Sequence, residues 1–134
     1  MLTTIQRLAQ AIDYPDAVPE GSVSFPFRVD GRDMNASESG GRLVLSCELQ
    51  ADPADDVVRR FAGYAVGRML KEEATLAWDP GRNALILWQA VSAQASDAVL
   101  RRFFEVFATS ADWWHARVRE DGAISSVPEM VIRP

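Results

Sequence analysis

The sequence has one cysteine, one histidine and one lysine in 134 residues. Each scarcity excludes something. A lone Cys47 can form no disulfide within the chain and no paired-thiolate zinc site, which suits a reducing cytosol. A lone His115 has neither an HExxH pattern nor a cysteine partner, so metal ligation lacks its usual companions. It reads as a structural or solvated residue beside Trp113 and Trp114. With Lys71 the only lysine and the arginines scattered, no basic block exists, and the formal net charge is −5. Nucleic acid is therefore not expected as a partner, because a phosphate backbone needs a clustered positive surface. No glycine-rich phosphate fingerprint is present. No run approaches the roughly 18 apolar residues that span a bilayer. The first residues lack the basic start and apolar core of a signal peptide. We expect a soluble cytoplasmic protein with no membrane insertion, no metal and no cofactor.

Catalytic constellations are also missing. Cys47 alternates into the apolar face of a strand, where free cysteines are commonly inert. Asp52, Asp55 and Asp56 are explained by a helix start, which favours negative charge. Glu72 and Glu73 have no paired carboxylate at a spacing that implies acid/base work. We expect a protein that is not an enzyme.

What is present is a single domain over residues 1–134, patterned as helices and strands. Leu2, Ile5, Leu8, Ala9 and Ile12 recur at helical spacing, and the helix should stop before Pro15. Residues 22–30 alternate, with Val23, Phe25, Phe27 and Val29 on one face. Pro26 cannot donate to a ladder and points to an edge strand or a bulge. Asp30-Gly31 is a hairpin signal. Residues 32–37 read as a short, weak strand, and Asp33 to Gly41 as a poor one. Arg42 to Gln50 alternates again, with Leu43, Leu45, Cys47 and Leu49 inward. A second helix begins at or just after Asp52. Its expected stripe is Val58, Phe61, Ala62, Ala65 and Met69, and Gly63 and Gly67 lie on another face. The last helix should run from about Ser96-Asp97 to about Arg119, burying Leu100, Phe103, Phe104, Phe107, Ala111, Trp114 and Val118. The tail, 122–134, contains Met130-Val131-Ile132, an extra edge strand or a mobile arm. The order α-β-β-β-α-β-β-α, with strands in runs, predicts an α+β fold built on an antiparallel, twisted β-sheet with three helices.

The stretch ATLAWDPGRNALILWQAV, Ala74 to Val91, organises the rest. Asp79-Pro80-Gly81-Arg82-Asn83 reads as a hairpin loop. On its second arm Leu85, Leu87 and Val91 fall on one face, and Ile86, Trp88 and Ala90 on the other. A surface strand of a small sheet usually alternates apolar with polar. This arm is apolar on both sides. One cover is expected from the chain's own helices and the other from a second copy. Trp78, Ile86 and Trp88 are candidates for that contact.

The chain as a whole resembles the class I type III secretion chaperones, the family of the Tir and Yop effector chaperones. The likeness rests on element order, the small acidic composition, the hairpin just quoted and the final helix LRRFFEVFATSADWWHARV. It implies a homodimer without enzymatic activity that binds the N-terminal region of a secreted effector and keeps it secretion-competent without ATP. It implies that the second helix, here with Phe61 and Ala65, joins the late strands in the dimer interface. It also implies an effector surface on the first helix and the sheet, with strand addition. The matching positions are Leu2, Ile5, Leu8, Phe25, Phe27, Leu43 and Leu45. A regulatory binding module of the same fold, an anti-activator or partner-switching protein, is the competing expectation.

Overall fold

A computed structural model describes residues 2–68 and 72–132, with side chains described as far as Glu120. The elements are α1 (Thr4–Ala11), β1 (Ser24–Val29), β2 (Arg32–Ser39), β3 (Arg42–Ala51), α2 (Asp55–Arg68), β4 (Thr75–Asp79), β5 (Ala84–Ser92) and α3 (Asp97–Ile132). The five strands form one antiparallel sheet in the order β1-β2-β3-β5-β4. This is the expected α+β architecture and element order.

Local chemistry explains the boundaries. Thr3 caps α1: its hydroxyl accepts from the Gln6 N–H at 3.2 Å, and Gln6 Oε1 accepts from the Thr3 N–H at 2.9 Å. That reciprocal pair satisfies two donors the helix leaves unpaired. Asp30 and Gly31 both have positive φ, 52° and 77°, and join β1 to β2 in two residues. This is the geometry whose twist matches the flanking strands. Asp52 and Asn83, also at positive φ, clasp each other. The Asn83 side-chain amide donates to Asp52 Oδ1 at 2.6 Å, and the Asp52 N–H donates to the Asn83 carbonyl at 2.7 Å. The clasp ties the β4–β5 loop to the start of α2.

Three expectations need correction. β2 is not a weak strand. It has eight residues and is hydrogen-bonded on both sides. Its apolar signal is faint because only Met34 and Ala36 face the core; neighbours on both edges hold it instead. Asp52 lies outside α2, and that helix buries Val57 and Phe61 while Ala62 is exposed. Met69 lies outside the described residues. The tail does not add a strand: Met130 to Ile132 end the α3 backbone helix.

The core lies on one face of the sheet. Phe27, Met34, Ala36, Leu43, Leu45, Cys47, Leu85 and Leu87 meet α1 and the expected α3 stripe, of which Leu100, Phe103, Phe104, Phe107, Ala111 and Trp114 are buried. Of the adjacent tryptophans, Trp114 is core and Trp113 a half-covered ring. Trp113 lies between the guanidiniums of Arg68 and Arg117, 3.8 and 4.8 Å from its centroid. Phe61 of α2 reaches the same cluster, 5.8 Å from Trp114.

Where β2 meets α3, Arg32 Nε lies 2.8 Å from Asp112 Oδ1. Half-buried His115 is next to this pair. Burial, then Arg32 and Arg119, push its imidazole down to about 4 against an opposing pull from Asp112. Burial likewise raises the Cys47 thiol to about 11 and leaves it a protonated, unreactive thiol.

Two outcomes follow from this packing. Phe107→Ala should lower the unfolding free energy by about 3–5 kcal/mol, since it removes a fully buried ring; denaturant titration measures it. His115 is neutral in both folded and unfolded chains above pH 6.5. Between pH 6.5 and about 4 only the unfolded chain takes up the proton. Wild type should therefore lose stability relative to His115→Gln as pH falls through that window, with a constant difference above it. Parallel pH profiles for the two proteins would refute the assignment.

Candidate functional site

The sheet has a second face, and among the described residues no helix packs over its centre. The register places Val44, Ser46, Ile86, Trp88, Ala90, Thr75 and Ala77 on this open face. Its centre is apolar and half-exposed, at Val44, Ile86, Trp88, Ala90 and Ala77. Small polar residues, Ser24, Asn35, Ser37 and Ser46, extend it towards β1.

The expected interface residues divide among four places. Ile86 and Trp88 are on the open face, as their alternation requires. Trp78, 43% exposed, pairs with Leu85 and so belongs to the helix-bearing side. Ala65 lines an apolar hollow of about 390 Å³ with Val66, Leu76 and Trp114, next to β4. Phe61 is fully buried in the chain's own core. The four remaining residues, Ala65, Trp78, Ile86 and Trp88, therefore lie on or beside β4. β4 is itself an edge strand.

Sequence reasoning missed Val66, which is 70% exposed on α2. The available signal was helical period. Once the buried stripe is Val57 and Phe61, Val66 points away from it. Gly63 and Gly67 share this uncovered side: a Cβ at either would meet no atom within 4 Å. Among the described residues nothing requires them to be glycine.

The expected effector-surface residues are also split by burial. Leu2 is 45% exposed and Phe25 half-buried, whereas Ile5, Leu8, Phe27, Leu43 and Leu45 are core. Phe25 packs edge-on to Phe27 at 5.1 Å, with Tyr14 4.6 Å from Phe27. Leu2 and Tyr14 line a shallow hollow of about 490 Å³ along α1. Tyr14 also explains how β1 tolerates its position. The Arg28 N–H donates to the Tyr14 hydroxyl at 3.2 Å, so it points away from β2. By the two-residue period of a strand, position 26 points the same way, and Pro26 has no N–H. The outer edge of β1 is therefore blunted, as exposed sheet edges commonly are. The sequence shows Pro26 but gives no hint of where the Tyr14 hydroxyl goes.

The chain from α2 to β4 re-enters the core on two carboxylates. Glu72 accepts from Trp114 Nε1 at 3.2 Å and from Arg68 Nε at 2.6 Å, and Glu73 accepts from Gln89 Nε2 at 3.0 Å. These acids are structural anchors. Among the described residues, no group of three or more His, Cys, Asp or Glu side chains could hold a metal, and no helix is long and apolar enough to cross a membrane.

Solved structures share this architecture. A chain of the HopA1–SchA chaperone–effector complex superposes with a TM-score of 0.66 at 15% identity, covering 84% of this chain and 91% of that one. A chain of the heterodimeric ExoU–SpcU complex from the type III secretion system of Pseudomonas aeruginosa gives 0.63 at 17% identity, covering 88% and 94%. The Yersinia pestis type III secretion chaperone SycH, solved with a fragment of YscM2, gives 0.58 at 10% identity, covering 83% and 96%. No curated protein matches the chain in sequence. The sequence itself matches the profile of the Tir chaperone protein (CesT) family over residues 3–115. Since that match spans most of the chain and the expected fold accompanies it, the protein belongs to the Tir chaperone (CesT) family.

Proposed function

We propose that this protein is a cytoplasmic type III secretion chaperone that acts as a homodimer. It binds the N-terminal region of a secreted effector and keeps it soluble and secretion-competent, without ATP and without catalysis. One observation carries the reading. A chain of this family seals only one face of its sheet and leaves apolar side chains uncovered on the other face and around β4. Contiguous apolar surface of this kind marks a site of protein association.

The second copy is assigned to the β4 side, where Ala65, Val66, Trp78, Ile86 and Trp88 surround an edge strand. Gly63 and Gly67 suit close approach of another backbone there. Phe61 supports that surface from the core. The effector segment is assigned to the α1–β1 side, with Leu2 and Phe25 as contacts. Ile5, Leu8, Phe27, Leu43 and Leu45 hold the surface in shape from beneath. Strand addition at β1 is disfavoured by Pro26 and by the Tyr14 hydroxyl, so the effector lies across side chains there. Burying a large apolar side chain at such a contact stabilises by about 1.5–3 kcal/mol.

Trp88→Glu or Val66→Glu should reduce the mass seen by light scattering to that of one chain, with the helical signal retained. A two-chain mass in both variants would remove the β4-side assignment. Phe25→Asp should weaken capture of the effector at least roughly tenfold, the equivalent of 1.4 kcal/mol, and leave the dimer intact. Co-purification from the native host identifies the partner. A secreted protein is expected, and a non-secreted regulator as the sole partner would overturn the chaperone reading.

A further inference from the structure

One cleft lies apart from the β4 side and the α1–β1 side, and open-face residues Asn35 and Ser46 are part of its lining. It has a volume of about 930 Å³ and runs between the β1–β2 hairpin, β3 and the far half of α3. One end of it is basic, in a protein of net charge −5. Arg32 from β2 and His115 and Arg119 from α3 line this end together with Cys47 and Val118. Arg32 is mostly enclosed, its side chain 21% exposed. Asp112 is its one ion-pair partner among the described residues, engages Nε, and is itself 68% exposed. Arg119 has no ion pair or hydrogen bond among the described residues. Asp30, Asp33 and Glu48 also line the cleft, as does Arg82. Asp33 is paired with Arg28 at 2.8 Å, and Asp30 and Glu48 are exposed near the hairpin end and on β3.

We propose that the Arg32–His115–Arg119 end of this cleft is a carboxylate subsite, which takes an acidic side chain of a polypeptide laid along the cleft. The chemistry is that of guanidinium forks. Each arginine offers paired N–H donors that match a carboxylate, and enclosure strengthens such charge-assisted bonds. The His115 imidazole beside them carries no charge at neutral pH and adds one donor without competing for the anion. Burial first, and then the Arg32 and Arg119 charges, lower the affinity of His115 for protons, which puts both arginines within electrostatic reach of the ring. A volume of about 930 Å³ favours a peptide over a small free anion.

Because His115 is the only histidine, its ring protons give one resolved nuclear magnetic resonance signal at the site itself. The test titrates the full chain at pH 7 with a capped hexaglutamate peptide, a hexaglutamine peptide and inorganic phosphate. Hexaglutamate should move the His115 signal saturably and hexaglutamine should not. Arg119→Gln, an exposed change, should weaken that response about tenfold with the remaining spectrum intact. An unmoved His115 signal, or a response indifferent to Arg119→Gln, would overturn the subsite. Phosphate acting at lower concentration than the peptide would overturn its assignment to a polypeptide. None of these outcomes depends on the effector or on dimer formation, so the subsite and the chaperone reading stand or fall separately.

Discussion

A sheet has two faces, and this chain folds helices over one. That constraint governs everything else. The aromatic stripe of α3 and the short α1 seal Phe27, Leu45, Leu87 and their neighbours on the inner face. Fully buried rings such as Phe107 and Trp114 make that seal dry and give the fold its stability. With α1 and α3 committed there, the outer face keeps Val44, Ile86 and Trp88 partly in water. In the proposed function that surface is the working part of the molecule.

α2 shows the same economy of cover. It buries two of its fourteen residues, Val57 and Phe61, and reaches the core mainly through the Phe61–Trp114 contact. Its return to the sheet is secured by Glu72 and Glu73, whose carboxylates take their hydrogen bonds from Trp114, Arg68 and Gln89. A helix held this sparingly gains from an outside partner, because helical stability in proteins comes mostly from packing an apolar face. Val66, Gly63 and Gly67 are presented on the side where such a partner would lie.

The sequence was most legible where one face of an element is buried and its period is clean. The alternation in β3 survives in the structure, as does the α3 stripe from Leu100 to Trp114, with Val118 only partly buried. The hairpin at Ala74 to Val91 is similarly clear, because its loop chemistry and its doubly apolar second arm are local signals. β2 was undervalued because a central strand in a one-sided sheet needs few apolar residues when both edges are paired. In α2 the stripe keeps Phe61 but begins at Val57 and not at Val58, because valines adjacent in sequence leave helical phase ambiguous. Burial depth was the least legible quantity. Ile5, Leu8, Phe27, Leu43 and Leu45 belong to the same apolar pattern as Leu2 and Phe25. Only the packing of α1 and α3 over them decides which ones remain at the surface. The Tyr14 hydroxyl on the β1 edge and the basic end of the α3 cleft depend on residues far apart in sequence, which no local pattern joins.

The central claim is that the surface around β4 is covered by a second copy of this chain. Hydroxyl-radical footprinting of the intact protein in solution reads that directly, residue by residue. The account predicts that Val66, Trp78 and Trp88 are labelled far less than their exposure in a single chain requires, while Leu2 remains reactive. Labelling of all three in proportion to their single-chain exposure would contradict it.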